Sequence, residues 1–545
     1  MKYLRWLADT IRPYWAAVTV MMTCHVLIAG CAIGFVYVSK KLVDVAVAVF
    51  GGSQEGSGLW PWAAAMIGIV ILRIALNALR SYLQTKTEIR LKNSLRHKLF
   101  DILLHLQTNG GSRHHSGDVL NRMQEDVRVV SNAVAVSLPN LFGTVLQFVA
   151  AFVFLLILDL RLAIVIVIVV PVGLAAGKFI TSRIRNLTLD IRNSDSKVQS
   201  HVQESIQHIT LLQSLEYTDS SSNELQGLQN TLYGNELKRT RFSVVSRIFI
   251  SLAFSAGHAI AFIWGVFGIS TGAVTYGMMT AFLQLVGQIQ RPLVEMSSQI
   301  PSIIHATASI DRLLELEQLP REVPEHRILL DGTAGIRLTD IAFAYPDSDK
   351  NVLHDFTHDF IPGSRTAIVG PTGVGKSTLI RILLSLLKPQ SGTLEIYTDR
   401  ACCPLNADTR CNLVYVPQGN SLFSGTIRDN LLMGNPDADI EQMHAALKTA
   451  AADFVFGLPD GIDTQCFEAG AGLSEGQQAQ RIAIARALLR PGSVLLLDEF
   501  SSALDVETEN TLMERLTKEL PDHTMIFITH REKIIDYCTD TLRLG

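Results

Sequence analysis

Gly370-Pro371-Thr372-Gly373-Val374-Gly375-Lys376-Ser377 is a full match to the P-loop pattern. An apolar run at 366–369 precedes it, and a helix-compatible stretch at 378–387 follows. Strand, glycine-rich loop and helix in that order make a phosphate cradle. The glycines let backbone N–H groups close around phosphate oxygens, and the helix N-terminus favours negative charge. Lys376 is expected to reach the terminal phosphates and the Ser377 hydroxyl to hold Mg²⁺. Gly370 through Thr378 is therefore the expected nucleotide contact.

The chain around this cradle is unusual for a soluble enzyme. It has 545 residues, 48% of them hydrophobic and only 18% charged, with mean hydropathy +0.26. The length predicts more than one domain. Long apolar runs fill the chain up to about residue 300, and the remainder has an ordinary soluble composition. A net charge of −4 gives no sign of a nucleic-acid binder. Seven scattered cysteines form no secreted disulfide framework, so a reducing compartment fits the second half. Cys402, Cys403 and Cys411 lack the paired spacing or histidines of a metal site.

Six segments meet the requirement of roughly 20 residues for a membrane-spanning helix: 15–38, 60–82, 138–158, 162–180, 248–269 and 278–300. The first is too deep and too long for a cleaved signal peptide. Residues 83–137 and 181–245 are rich in Lys and Arg, whereas 159–161 and 270–276 are nearly bare. The positive-inside rule then puts both termini and both long loops in the cytoplasm, although Lys40 and Lys41 fall outside. Trp60 and Trp62 suit the outer interface. Each long loop reads as a helical hairpin reaching about 40 Å beyond the bilayer, at 1.5 Å per residue. Glycine and polar residues at 109–117 mark the distal turn of the first. At the N-terminus, Leu4, Leu7 and Ile11 share one face of a short interfacial helix that Pro13 ends.

Within the sixth segment, Gln284, Gln288, Arg291, Glu295 and Gln299 recur at spacings of four, three, four and four, one helical stripe. A polar stripe is costly against lipid, so it is expected to face a cavity or another helix. Arg73 lies about 16 Å in from Trp62 by helical rise and is expected to face the same cavity. His25 and His258 are read as packing residues. Arg73 and Arg291 lean toward an anionic or amphipathic cargo.

From residue 336 onward strand and helix patterns alternate, as in an α/β domain. Val494-Leu495-Leu496-Leu497-Asp498-Glu499 is a buried strand ending in two carboxylates. Asp498 is positioned to hold Mg²⁺, and Glu499 to polarise an attacking water.

With both nucleotide motifs in hand, the sequence resembles the ATP-binding cassette (ABC) transporter family, in its half-transporter exporter form. Leu473-Ser474-Glu475-Gly476-Gln477, with the helix that follows, is similar to that family's LSGGQ signature. The resemblance implies that Ser474, Gly476 and Gln477 contact nucleotide held by a partner's P-loop. It also implies that Tyr345 stacks on adenine, that Gln418 joins Mg²⁺ to the membrane part, that 502–505 speaks across the dimer, and that His530 senses the γ-phosphate. Gly117-Asp118-Val119-Leu120-Asn121-Arg122, with Asp126, resembles a coupling region. Departures are Glu475 in place of glycine, Glu468-Ala469-Gly470 in place of Glu-Arg-Gly, Gln207-His208 where a glycine is usual, and an end at Gly545 without the usual terminal helices.

The expected architecture is multidomain. An all-α six-helix transmembrane domain spans 1–317, a linker 318–335, and an α/β P-loop NTPase domain 336–545. The implied activity is an ATP-hydrolysing exporter using ATP and Mg²⁺. The expectation is a multi-pass protein of the cytoplasmic membrane, with its N-terminus and ATPase in the cytoplasm, paired with a second copy. Its cargo is an unknown small molecule or lipid, and it has no nucleic-acid partner. Alternatives are an ATP-gated channel, a regulatory membrane ATPase, or a heterodimer-forming peptide exporter.

Overall fold

The computed structural model describes residues 2–51, 58–107, 116–345, 351–419, 421–466 and 476–544. They form two compact units. One comprises Met1–Lys98 and Asn121–Leu314; the other comprises Leu99–Leu120 and Glu315–Gly545.

The chain up to residue 317 is helical, most of it in the first unit: α1 Lys2–Ile11, α2 Trp15–Phe50, α3 Leu59–Leu104, α4 Ser116–Asn121, α5 Val127–Asn132, α6 Leu138–Leu158, α7 Leu160–Gln207, α8 Ile209–Ser214, α9 Thr218–Ser270 and α10 Tyr276–Glu317, with most of α4 and the ends of α3 and α10 belonging to the second. Pro13 sits in a 3₁₀ turn, Arg12–Tyr14, that ends α1 as its fixed φ requires. All six expected spans fall on long helices. Among the described residues four stretches are long and apolar enough to cross a membrane: Arg5–Phe50, Leu59–Leu104, Asp118–Leu158 and Thr218–Ser270. In α7 the side chains of 165–182 lie outside the described residues. In α10 the polar stripe interrupts the hydropathy, yet Phe282, Leu285, Val286 and Ile289 on its other face are fully buried. The first span is longer than expected: α2 continues to Phe50. On α2, Tyr37 meets Trp62 of α3 edge-on, with ring centroids 6.2 Å apart and Lys41 over the Tyr37 ring.

Without a hydrophobic driving force between helices in lipid, close packing depends on small residues at the crossings. Gly143 of α6 lies against His25 of α2: a Cβ there would come within 2.7 Å of the imidazole Cγ. Gly143→Ala is therefore expected to cost about 1–3 kcal/mol by overpacking, read as a lower melting temperature of the purified protein.

The approach to α6 is irregular. Two π-helical turns, Arg122–Asp126 and Ala133–Ser137, flank α5, a distortion that recurs at functional positions. The first turn buries Asp126, which is 2% exposed. Its carboxylate accepts from Ser309 Oγ (2.8 Å), Arg312 Nε (2.9 Å) and Arg312 Nη2. Arg122 Nη1 donates to the Arg312 carbonyl at 3.1 Å. The expected coupling region is thus clasped to the C-terminal end of α10. The second long loop is the expected hairpin, with α7 and α9 joined through α8. Asn235 Nδ2 donates to Ser194 Oγ at 2.9 Å, and Ser205 and Ser221 hydroxyls lie 3.2 Å apart. Ile209, Leu211 and Leu215 at its tip are exposed.

In the second unit the strands and helices are β1 Gly335–Ala344, β2 Asn351–Phe360, β3 Arg365–Val369, α11 Lys376–Leu383, β4 Ser391–Tyr397, β5 Cys402–Pro404, β6 Leu413–Val416, β7 Gly425–Thr426, α12 Ile427–Leu432, α13 Ile440–Thr449, β8 Gln465–Cys466, α14 Gly476–Leu488, β9 Val494–Asp498, α15 Val506–Glu519, β10 Thr524–Ile528, α16 Glu532–Ile535 and β11 Asp540–Arg543. Five strands form a parallel sheet in the order β11-β3-β10-β9-β6. β9 and β10 are buried at every position, as a parallel sheet covered on both faces requires. A second, antiparallel sheet, β2-β1-β4-β5, takes two strands from before the P-loop and two from after α11, and was not anticipated from sequence.

The stretch read as a linker is also ordered. Leu106 and Arg321 form an antiparallel bridge. Gln107 N donates to the Pro320 carbonyl (3.0 Å) and Glu322 N to the His105 carbonyl (2.8 Å). The Glu322 carboxylate accepts from Arg410 at 2.6 Å, and Leu330 N donates to Asn412 Oδ1 at 2.8 Å.

Candidate functional site

Strand order assembles the site. β3 leads into the P-loop, β10 into Thr529 and His530, β9 into Asp498 and Glu499, and β6 into Pro417 and Gln418. These four strands are neighbours and parallel, so all four C-terminal ends open on one edge, where ligands of open α/β sheets bind.

Gly373 and Gly375 take φ of +87° and +110°, left-handed conformations that a side chain would strain. They turn the loop so that α11 starts at Lys376. The Lys376 ammonium donates to the carbonyls of Gly370 (2.5 Å) and Pro371 (3.2 Å) and lies 3.1 Å from His530 Nε2. Ser377 is exposed at the first turn. Tyr345 stands beside this turn, its hydroxyl 3.1 Å from Thr378 Oγ1 and its ring edge-on to Phe343 at 5.1 Å.

Glu499 has φ +42°, uncommon for a residue with a side chain. Its N–H donates to the Ile528 carbonyl at 3.0 Å. Its carboxylate accepts from Gln418 Nε2 at 2.5 Å and lies 3.7 Å from His530 Nε2. Asp498 is buried. Burial, and then the neighbouring Glu499 charge, push its carboxyl above the ordinary range, and a 3.4 Å hydrogen bond from Tyr415 opposes the shift. Burial, and then the Asp498 carboxylate, push the Tyr415 hydroxyl up to about 12. Two adjacent carboxylates, an exposed hydroxyl and an amide form an oxygen-donor set suited to a hard cation completed by phosphate oxygens and water. The residues present therefore fit Mg²⁺, which Asp498, Ser377 and Gln418 would hold.

Of the sequence-expected residues, Gly370 to Thr378, Tyr345, Gln418, Asp498, Glu499 and His530 converge on this edge. Gly476 and Gln477 open α14. Ser474, Glu475 and the 468–470 segment lie outside the described residues. Sequence reasoning missed Tyr415, Gln480 and Arg531. Gln480, 1% exposed, donates to the Glu499 carbonyl at 3.4 Å. Arg531 donates to the carbonyls of Ser502 (3.3 Å) and Leu504 (3.1 Å) and to the buried Glu509 carboxylate. It straps the 502–505 loop beside His530, and Asp505 caps α15 through Thr508 N at 2.9 Å. The one signal for this strap was adjacency to His530. Arg531→Lys keeps the charge but loses the planar fork, and about 1–2 kcal/mol of stability is expected to go with it, measurable by denaturant unfolding of the ATPase transition.

In the membrane bundle the polar stripe divides. Gln284 Nε2 donates to Ser39 Oγ (2.9 Å) and Gln288 Nε2 to the Ala32 carbonyl (3.3 Å), both on α2. Glu295 and Gln299 line a cavity with His25 and Arg80. Arg73 and Arg291 are exposed and are not among its lining residues. His258 bonds its own helix at the Phe254 carbonyl, as a packing residue would.

Comparison with known proteins agrees with this geometry. The profile described as ABC transporter transmembrane region matches residues 18–293, just over half of the chain, and the profile described as ABC transporter matches 353–502. The ATP-binding/permease protein YgaD of Bacillus subtilis, named for multidrug export, is 27% identical over 537 residues, covering 97% of this chain and 92% of that protein. A similarly named Staphylococcus aureus protein is 28% identical over 485 residues, covering 87% and 82%. The fold is similar to that of a bacterial Atm1-family ABC exporter solved with ATP bound, at TM-score 0.80 and 24% identity over 98% of this chain and 94% of the other. The chain belongs to the ABC transporter family, as an ATP-hydrolysing exporter whose multi-pass membrane region and ATPase are one polypeptide.

Proposed function

We propose that two copies of this chain pair in the cytoplasmic membrane, ATPase inward, and export an amphipathic molecule by alternating access. The convergence of Lys376, His530, Glu499 and Gln418 on one sheet edge carries this reading. Each P-loop holds ATP, and Ser474, Gly476 and Gln477 of the second copy cover the γ-phosphate. Tyr345 stacks on adenine. Asp498, Ser377 and Gln418 would hold Mg²⁺, which would supply neutralisation of the phosphate charge. Glu499 orients a water in line with the γ-phosphorus and takes its proton as the new P–O bond forms. The bond to the β-phosphate oxygen breaks, leaving ADP and phosphate. Lys376 and His530 stabilise charge on the transferred group. The residues at 1–317, 318–335 and 336–545 then act as membrane domain, linker and ATPase.

Closure around ATP and release after hydrolysis are a two-state switch that the helical hairpins carry to the spans. The exposed Ile209, Leu211 and Leu215 at the second hairpin tip support docking on a second copy. The names of the relatives, which mention multidrug export, support a lipophilic or amphipathic cargo. Inside-out vesicles carrying the protein test the reading. ATP-dependent accumulation of a lipophilic dye against its gradient is expected, and dissipation of a preformed gradient by ATP would point instead to a gated channel.

A further inference from the structure

Inside the membrane bundle lies a cavity of about 240 Å³ that His25, Arg80, Asn140, Gln147, Glu295 and Gln299 reach from α2, α3, α6 and α10. His25 is only 4% exposed. Its Nε2, the Arg80 Nε and the Gln299 Oε1 are buried atoms with no hydrogen-bond partner among the described residues. Asn140 is fixed by a 2.8 Å bond from Gln84. Unmatched polar atoms at membrane depth cost several kcal/mol each, so a set sharing one cavity points to a polar ligand that completes it.

The charge pattern narrows the ligand. The lining carries one guanidinium, Arg80, and one carboxylate, Glu295, with neutral amides between them. A bare anion would meet Glu295 and a bare cation would meet Arg80. A group carrying both signs satisfies both, and a carboxylate accepts several hydrogen bonds at once. The volume is below the roughly 300–1,000 Å³ of drug-sized sites, so it admits a headgroup and not a whole amphiphile.

We propose that this cavity binds the zwitterionic headgroup of the exported molecule. Its anionic oxygens face Arg80 and His25, and its ammonium faces Glu295 and the Gln299 carbonyl. The proposal rests on the exporter reading and names the cargo class. The headgroup belongs either to a membrane lipid or to a soluble zwitterion, and the test separates them.

The full chain in nanodiscs, without nucleotide, is presented with phosphatidylethanolamine, with phosphatidylglycerol, or with soluble phosphoethanolamine, and retention is read by native mass spectrometry. An amine-bearing probe is expected to bind at least about tenfold more tightly than phosphatidylglycerol, the size of one charge-assisted hydrogen bond. Preference for the lipid identifies a membrane source, and binding of phosphoethanolamine alone identifies a soluble one. Arg80→Gln and Glu295→Gln are each expected to weaken retention about tenfold, and Gln299→Leu a few-fold. Should Arg80→Gln fail to fold, Glu295→Gln, at an exposed position, carries the test. Equal retention of phosphatidylglycerol, indifference to Glu295→Gln, or no retention of any probe would overturn the proposal. Retention does not depend on turnover, so an inactive ATPase counts against the exporter reading alone.

Discussion

Glu499→Gln is expected to lower ATP turnover by about 10²–10⁴-fold, the range for losing a general base, while ATP still binds. The amide matches the carboxylate in shape and keeps a partner for Gln418, but it does not take a proton from water. It also removes one of two adjacent negative charges, and Asp498 is already pushed toward protonation, first by burial and then by the Glu499 charge. Nucleotide should therefore bind at least as well as in the natural chain. ATP-bound pairs of chains should accumulate. Phosphate release gives the rate, and cross-linking in ATP gives the pairing. Ordinary hydrolysis in this variant would strip Glu499 of its assigned role, and absence of pairing in ATP would sink the two-copy mechanism.

Arg312→Ala is expected to be the most damaging change outside the ATPase site. Asp126 is buried and Arg312 is its charged partner. Removing the arginine leaves a buried carboxylate that still accepts from the Ser309 hydroxyl but has lost its charged partner, a loss on the order of 3–5 kcal/mol. Asp126→Asn should cost less, because Arg312 is half exposed and is hydrated when released. That order of effects, seen in melting temperatures, separates a buried-charge clasp from an ordinary surface pair, whose partners would cost similar small amounts. The same clasp joins the 122–126 turn, which the proposed mechanism uses for coupling, to α10. Arg312→Ala should therefore also reduce cargo stimulation of ATPase activity more than basal activity.

Much of this was legible in the sequence because the motifs are local. The P-loop needs its glycines, lysine and serine within eight consecutive residues, and the strand carrying Asp498 and Glu499 announces itself by four apolar residues in a row. The spans were legible because lipid allows little besides apolar helices. What sequence concealed depends on contacts distant along the chain. Tyr415 meets Asp498 because β6 and β9 are sheet neighbours, and nothing near Tyr415 says so. Asp126 and Arg312 are brought together by helix packing. The stripe at 284–299 was visible as a period, but its division between α2 contacts and a cavity depends on how α2 and α10 approach. The antiparallel sheet was hidden because its members, β1, β2, β4 and β5, are separated by the P-loop and α11.

The pairing of Leu106 with Arg321 bears on how this protein can be taken apart. A fragment cut at Gly335 would carry every catalytic side chain yet would lack the backbone that His105 and Gln107 share with Glu322 and Pro320. Arg410 would also lose its carboxylate partner. Kinetics measured on such a fragment would describe a looser machine than the intact chain. A faithful dissection has to keep the 99–120 segment together with the residues from 315 onward.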